Sequence, residues 1–385
     1  MEFAYLDHAA ATPLRPAVRD AMIPLLEGLT GNASSTHWWG RRAHSILEDA
    51  RSRVATRMGV RSGEVVFARG GTESINLAVL GRAGWALSRG MEAPGLVRSA
   101  IEHSAVVEAM DALGNQGVRV EVLPVLPDGD IRHPAAHQLR SGSTILVSVQ
   151  WVNHETGIEL PVATLASLCR EAGVPLHVDA SQAIGKVPSP GHFPDLLSIS
   201  GSKLGGPASS GALIVRDGTE LSPLIFGGGH ERNLRPGTPD VIAAVGLATA
   251  LERAVDTCAD ESDRLAGLRD QLQSELKTSI SGMRVHGEEA SRAPHILSIG
   301  VPGMPRDLLP GALDLEGIGV SAGSACRSGS TEASPVLSAL YGPGAAEFAP
   351  LRISMGWTTT PDEVALAAST IPRVVERIRA AGVGS

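Results

Sequence analysis

The sequence predicts an α/β protein: a mostly parallel central sheet flanked by helices, joined to a smaller α+β unit. Three observations carry that reading. Short apolar runs alternate with helical segments between residues 64 and 215, which is the pattern of strand–helix–strand units. The polar residues that stand out lie just after those runs, where open α/β sheets bind ligands. Beyond residue 240 the pattern changes to long helical segments and then a few isolated strands, within a chain of 385 residues. One large and one smaller domain follow from that length. The large domain is placed at 15–255, and the small domain at 1–14 together with 256–385.

Taken in order, Ala4-Tyr5-Leu6 reads as a strand, and Pro16 opens a helix through Leu26, proline being tolerated in a first helical turn. Trp38 to Met58 reads as a helix. Strands follow at 64–67, 95–99, 118–122, 144–149, 176–178, 196–199 and 212–215, with helices over 73–87, from Ser104, and over 162–171. One strand–helix–strand step separates Asp179 from Lys203, which puts the two on neighbouring strand ends. Val241 to Lys277 reads as one or two long helices, a hinge into the second domain. Strands at 296–299 and 351–354 and a helix from Pro361 toward Arg379 complete the chain.

Composition narrows the function classes. Hydrophobic residues make up 43% but aromatics only 3%, so Ala, Val, Leu and Ile must fill the core. The net charge of −8, without a basic run, gives little support to direct nucleic-acid binding through phosphates, and none is expected. The N-terminus does not read as a signal peptide, and no apolar stretch reads as a bilayer span. The three cysteines, Cys169, Cys258 and Cys326, are far apart, which argues for a reducing, cytoplasmic setting rather than a disulfide framework.

The chemistry centres on Ile199-Ser200-Gly201-Ser202-Lys203, where an apolar strand ends in a lysine. A lysine held in such a place can act as an amine nucleophile in Schiff-base chemistry. Gly70-Gly71-Thr72 opens a helix and makes an anion site of backbone N–H groups and a hydroxyl. Asp179 ends the strand before Lys203 and can hold a pyridine nitrogen protonated. Lysine and aspartate so placed are the two poles of a pyridoxal phosphate site. His103 follows another strand end and can stack on a flat ring. Asn153 and Glu155 follow the 144–149 strand, where an amide can bond a ring hydroxyl or a carboxylate. Arg352 suits bidentate capture of an α-carboxylate. Cys326 sits among Ser, Ala and Gly beside Arg327, a setting for an accessible, ionisable thiol. Cys169 and Cys258, set among Leu and Ala, read as inert core cysteines. No Cys/His cluster has metal-ligand spacing, so no permanent metal site is expected. Gly227-Gly228-Gly229 lacks the lysine of a nucleotide-binding loop.

These residues, in this order, resemble the cysteine desulfurases of the NifS/IscS type, within the class V aminotransferase fold. The likeness runs from Leu6-Asp7-His8-Ala9-Ala10-Ala11-Thr12-Pro13 through Gly71-Thr72-Glu73-Ser74-Ile75-Asn76-Leu77, Glu102-His103 and Val152-Asn153-His154-Glu155-Thr156-Gly157. It continues through His177-Val178-Asp179-Ala180-Ser181-Gln182, Gly227 to Arg232 and Arg235-Pro236-Gly237-Thr238, to Ser324-Ala325-Cys326 of the longer-loop subgroup. The resemblance implies a fold-type I homodimer with pyridoxal 5'-phosphate on Lys203. Asp179 would face the ring nitrogen, His103 would stack, and Gln182 would bond the ring oxygen. Gly71, Thr72 and Ser200 would hold the phosphate, with Thr238 arriving from the partner subunit. Asn153 and Arg352 would fix the substrate carboxylate. It also implies that L-cysteine becomes L-alanine, with a persulfide on Cys326 passed to an acceptor protein for iron–sulfur assembly, tRNA thiolation or DNA phosphorothioation. The alternatives are a selenocysteine lyase or aminotransferase of the same fold, or a non-catalytic scaffold. One residue departs from the pattern: Ser202 stands where the family usually has histidine before the lysine. The Gly201-Ser202-Lys203 run is similar to the member that serves DNA phosphorothioation.

Overall fold

The computed structural model describes residues 3–131, 139, 143–189, 191, 194–306, 308–323 and 334–382. Strand β1 (Ala4–Tyr5) stands outside the main sheet. That sheet has seven strands: β2 (Val65–Ala68), β3 (Gly95–Ser99), β4 (Arg119–Leu123), β5 (Thr144–Gln150), β6 (Leu176–Asp179), β7 (Leu196–Ser200) and β8 (Gly211–Val215). Their spatial order is β2-β8-β7-β6-β5-β3-β4. Only β8 runs against its neighbours; every other pairing in the sheet is parallel. Strands β6, β7 and β8 are buried along their whole length, as central strands covered on both faces by helices must be.

Helices cover both faces, and the pleat decides which side chains meet which helices. On one side Val66, Leu96, Leu146, Leu196 and Leu213 pack against α3 (Gly71–Ser88) and α4 (Ser104–Gly114). On the other side Val65, Phe67, Val147, Val178 and Leu197 belong to the core with α2 (Trp38–Met58), α5 (Val162–Ala172) and α6 (Val241–Asp256). Helix α1 (Pro16–Gly28) packs against α6. The α2 stripe Ala43, Leu47, Ala50 and Val54 is buried, and the helix stops at Gly59, whose φ of 63° is the left-handed conformation glycine adopts most readily.

The rest of the chain builds a separate core. β10 (Ile296–Pro302) pairs antiparallel with both β12 (Phe348–Ser354) and β9 (Arg284–Val285), while β1 pairs parallel with β11 (Ile318–Gly319). Leu272, Leu297, Ile299, Leu351 and Ile371 cluster there with Ala4 and Leu6. Two long helices supply the outer layer, α7 (Cys258–Ser279) and the C-terminal helix Pro361–Ala380. The latter starts with Pro361 behind a Thr360/Glu363 capping box.

Two expectations are corrected. The described residues between β6 and β7 form turns and no helix; Gly185, at φ 68°, interrupts the helical turns that begin at Ala180, and β6 and β7 still pair in parallel. Cys258 opens α7 and is partly exposed, whereas Cys169 is fully buried. A first helical turn has few neighbours on its outer side, so apolar sequence around it does not ensure burial.

A buried ion pair fastens α2 to the sheet. Arg51 donates to both Glu231 oxygens at 2.8 and 2.6 Å, and Glu231 also accepts the Phe67 N–H at 2.7 Å. Glu231, Arg232 and Asn233 have φ between 48° and 61°, a strain these bonds hold in place. Arg51→Leu would leave the Glu231 charge buried and uncompensated. We expect it to lower unfolding free energy by about 3 kcal/mol or more, read from urea denaturation. A loss below about 1 kcal/mol would mean that the pair is solvated and does not fasten the helix.

Candidate active site

The site is assembled at strand ends. β6 and β7 run side by side and parallel, so Asp179 closing β6 and Ser200 closing β7 emerge at the same edge. Ser200 leads into a single 3-10 turn, Gly201–Lys203, which turns Ser202 and Lys203 toward that edge. A cavity of about 370 Å³ opens there, bordered by Asp179, Gln182, Ser200, Ser202 and Lys203. Gly71 and Thr72 at the start of α3, and His103 at the start of α4, complete the wall with His154, Glu155 and Arg352.

Each wall residue has a definite setting. Gly70 has φ 104° and turns the chain into α3. A Cβ at Gly71 would lie 3.0 Å from Ser181 Oγ and 3.3 Å from Ser200 Cβ, so glycine lets the helix start close against the strand ends. Ser200 Oγ and Ser202 Oγ are 3.2 Å apart and, with the open N–H groups of α3, form an anion cradle. Asp179 is buried, and its Oδ1 accepts the Ser181 N–H at 3.0 Å. The Lys203 amine donates to the Ala10 carbonyl. Donors for a phosphate, an acid and an amine thus share one cavity with an imidazole, a set that fits pyridoxal phosphate.

His103 Nδ1 accepts the Ala105 N–H at 3.1 Å, capping α4. Its neutral ring therefore carries the proton on Nε2. Burial holds this imidazole below its usual range; Asp179 opposes the shift and Lys203 reinforces it. Arg352 is buried, with Nη2 on Asp7 Oδ1 at 2.7 Å and Nη1 on the carbonyls of His154 and Gly323 at 2.8 and 3.0 Å. Its Nε–H has no partner among the described residues.

The structure does not bring every expected residue to the cavity. Asn153 is fully buried and outside the wall. Its Oδ1 accepts from the backbone N–H of Glu155 and Thr156 and from the Thr156 hydroxyl, while its Nδ2 donates to Ile101 O. The amide is committed to the turn, and the neighbouring His154 faces the cavity instead. His154 meets His103 edge-on at 5.0 Å between ring centroids and contacts Gln150 Oε1 through Nδ1 at 3.3 Å. Sequence analysis does not single out His154, although an Asn three residues before a Thr-Gly pair is itself a turn signal. Thr238 is exposed and does not border its own chain's cavity. Cys326 and Arg327 lie outside the described residues. Among the described residues, no group of three or more His, Cys, Asp or Glu is arranged to hold a metal, and no helix is long and apolar enough to cross a membrane.

The aminotransferase class-V model matches residues 4–366. The chain is 39% identical over 388 residues to a Mycobacterium tuberculosis protein named IscS-like cysteine desulfurase, covering 99% of this chain and 98% of that one. Among solved structures, a NifS-like protein superposes with a TM-score of 0.87 at 31% identity, over 98% of this chain and all of its own (100%). Another, titled SspA in complex with cysteine, has a TM-score of 0.76 at 30% identity, over 91% of this chain and 98% of its own.

Glu102 gives the site a pH signature. It is buried; Ser99 Oγ and the Gln150 N–H donate to its Oε1, and its Oε2 has no partner among the described residues. Burial pushes its carboxyl up to about 8 from an ordinary 4.5. A raised carboxyl favours folding below the unfolded value and loses that contribution as pH rises toward the folded one. The parent should therefore lose stability relative to Glu102→Gln as pH goes from about 4.5 to 8. Thermal melts of both proteins across that window check this; parallel curves would contradict it.

Proposed function

Because the chain belongs to the aminotransferase class-V family, we propose that it is a pyridoxal-phosphate-dependent cysteine desulfurase, taking L-cysteine to L-alanine and passing the sulfur on through Cys326. The observation that carries this reading is the meeting of Asp179 and Lys203 at adjacent parallel strand ends, facing the start of α3 across one cavity. The cysteine-bound neighbour supports the choice of substrate.

In this reading Gly71, Thr72, Ser200 and Ser202 hold the phosphate with backbone and hydroxyl donors. Asp179 keeps the ring nitrogen protonated, His103 covers one ring face, and Gln182 donates to the ring oxygen. Bound pyridoxal phosphate supplies an electron-withdrawing ring that stabilises negative charge at the substrate α-carbon. Lys203 provides the amine that carries the cofactor and, once displaced, moves the α-proton. Arg352 still has its Nε–H to offer a carboxylate. His154 borders the same space and takes the substrate-facing place expected of Asn153. The Cys326 thiolate attacks the substrate sulfur: the substrate C–S bond breaks, an S–S bond forms, and a proton ends on the alanine methyl group. Atoms and electrons balance without an added oxidant.

The same reading has the chain as a homodimer. Trp38, Trp39 and Phe226 are large exposed apolar side chains, and Phe226 precedes Thr238 on one long connection, which suits a residue delivered to a partner's cavity. The domain division at 15–255 is supported by the separate apolar core that joins Ala4 and Leu6 to residues 265–378.

Cys326→Ser is the direct test. It should keep the fold and bound cofactor yet form no persulfide, because a hydroxyl is not ionised near neutral pH. Lys203→Ala should make no alanine at all. Mass spectrometry after incubation with L-cysteine should find one added sulfur on the Cys326 peptide of the parent. Sulfur on Cys169 or Cys258, with Cys326→Ser fully active, would overturn the mechanism. So would normal alanine production by Lys203→Ala.

A further inference from the structure

Behind the cavity wall lies a polar cluster that the mechanism does not use. Lys186 Nζ donates to Gln182 Oε1 at 2.8 Å, and His295 Nε2 approaches the same oxygen at 3.3 Å. On its other side the Gln182 amide donates from Nε2 to the Ala9 carbonyl at 2.8 Å. A carbonyl oxygen accepts and never donates, so the atom facing Ala9 must be nitrogen and the atom facing Lys186 must be oxygen. Two donors then saturate Oε1, and one N–H of Nε2 is spent on Ala9. The second N–H remains, on a buried residue that borders the cavity.

We propose that Lys186 and His295 are positioning residues that lock the Gln182 amide with its N–H toward the cavity, making Gln182 a fixed donor to an anionic ring oxygen. This rests on the reading of the cavity as a pyridoxal phosphate site. A flipped amide would aim a carbonyl oxygen at the anion and turn an attraction into a repulsion. Without Lys186 the two orientations compete more closely, because the Ala9 bond and the longer His295 contact fix the amide less firmly than all three do.

The surroundings agree with this assignment. Burial, then Lys203 and Arg352, push the Lys186 amine well below its usual range. Burial, then Lys186, His8, Arg352 and Arg269, do the same to His295. A neutral amine and a neutral imidazole can each still donate one N–H to Oε1. His295 Nδ1 has no partner among the described residues, which leaves Nε2 as the protonated nitrogen facing Gln182. Lys186 and Lys203 also border one small cavity of about 30 Å³, so the cluster sits directly behind the amine that carries the cofactor.

The test is a cofactor titration, with alanine production measured separately. Apoprotein of the parent, Lys186→Met, Lys186→Gln and Gln182→Glu is titrated with pyridoxal phosphate, and the visible band of each holoprotein is followed across pH. Lys186→Met should bind about tenfold more weakly, the scale of one hydrogen bond, and its band should titrate at a different pH. Lys186→Gln keeps an N–H donor and should stay within about threefold of the parent. Gln182→Glu should reproduce the Lys186→Met band, and adding Lys186→Met to it should cost little more. Parental behaviour of Lys186→Met overturns the inference, as do equal losses in Lys186→Met and Lys186→Gln. If Lys186→Met does not fold, the comparison of Lys186→Gln with Gln182→Glu decides: the first must hold cofactor better than the second. A parent protein that takes up no pyridoxal phosphate would instead defeat the reading of the cavity.

Discussion

A hydrogen-bonded rung across three strands sets the register on which the site depends. Ser148 of β5, His177 of β6 and Ser198 of β7 are joined through the two ring nitrogens of His177, at 2.8 and 2.9 Å. All three are fully buried in an otherwise apolar layer. Burial draws the His177 imidazole down to about 4, so it is neutral, with one nitrogen donating and the other accepting. Two residues further along each strand, on the same face, come Gln150, Asp179 and Ser200. A slip of one residue would send those side chains to the opposite face. It would also strand three buried polar groups, each at a cost of about 1–3 kcal/mol. The rung makes the correct alignment much cheaper than its neighbours.

Arg352 does for the whole molecule what the rung does for the sheet. It lies on β12, in the second core, yet its guanidinium reaches Asp7, the His154 carbonyl and the Gly323 carbonyl. Its own backbone exchanges two hydrogen bonds with Ser321. One buried cation thus connects the segment after β1, the turn after β5 and the chain leading toward Cys326. Glu155, beside that turn, accepts from Ser334 on the far side of the Cys326 segment. Residues at both ends of the stretch that contains Cys326, the sulfur acceptor in the proposed function, are therefore bonded to the cavity's own wall.

Much of this was legible because strand ends are legible. Apolar runs bounded by Gly, Ser and Asp mark where a parallel sheet presents its polar residues, and Lys203, Asp179, His103 and Thr72 all fell on such boundaries. The direction of side chains within a turn was not legible. In Asn153-His154-Glu155 three polar residues follow one strand, and sequence does not say which points inward. The Asn side chain closed the turn on itself, as its short reach favours, and the histidine took the open side. Lys186 was hidden for another reason. It meets Gln182 four residues back along the chain, and nothing in the sequence separates that lysine from one on a solvated turn.

These features share one electrostatic consequence. In the proposed function the cavity takes a phosphate and a carboxylate, and ionised carboxylates on its wall would repel both. Burial pushes Glu102 up to about 8, so it is largely protonated at neutral pH, and burial also raises Glu155. The same burial lowers the imidazoles of His103 and His154, adding no cation that would need a partner. Asp7 answers the Arg352 charge from outside the cavity wall. Desolvation therefore mutes Glu102, Glu155, His103 and His154, so two of the wall's carboxylates offer less opposition to the anion cradle at α3 and the remaining Arg352 donor, while Asp179 and Glu108 also border the space. A wall built from exposed acids and bases of the same types would lack this property, because water would keep every one of them charged.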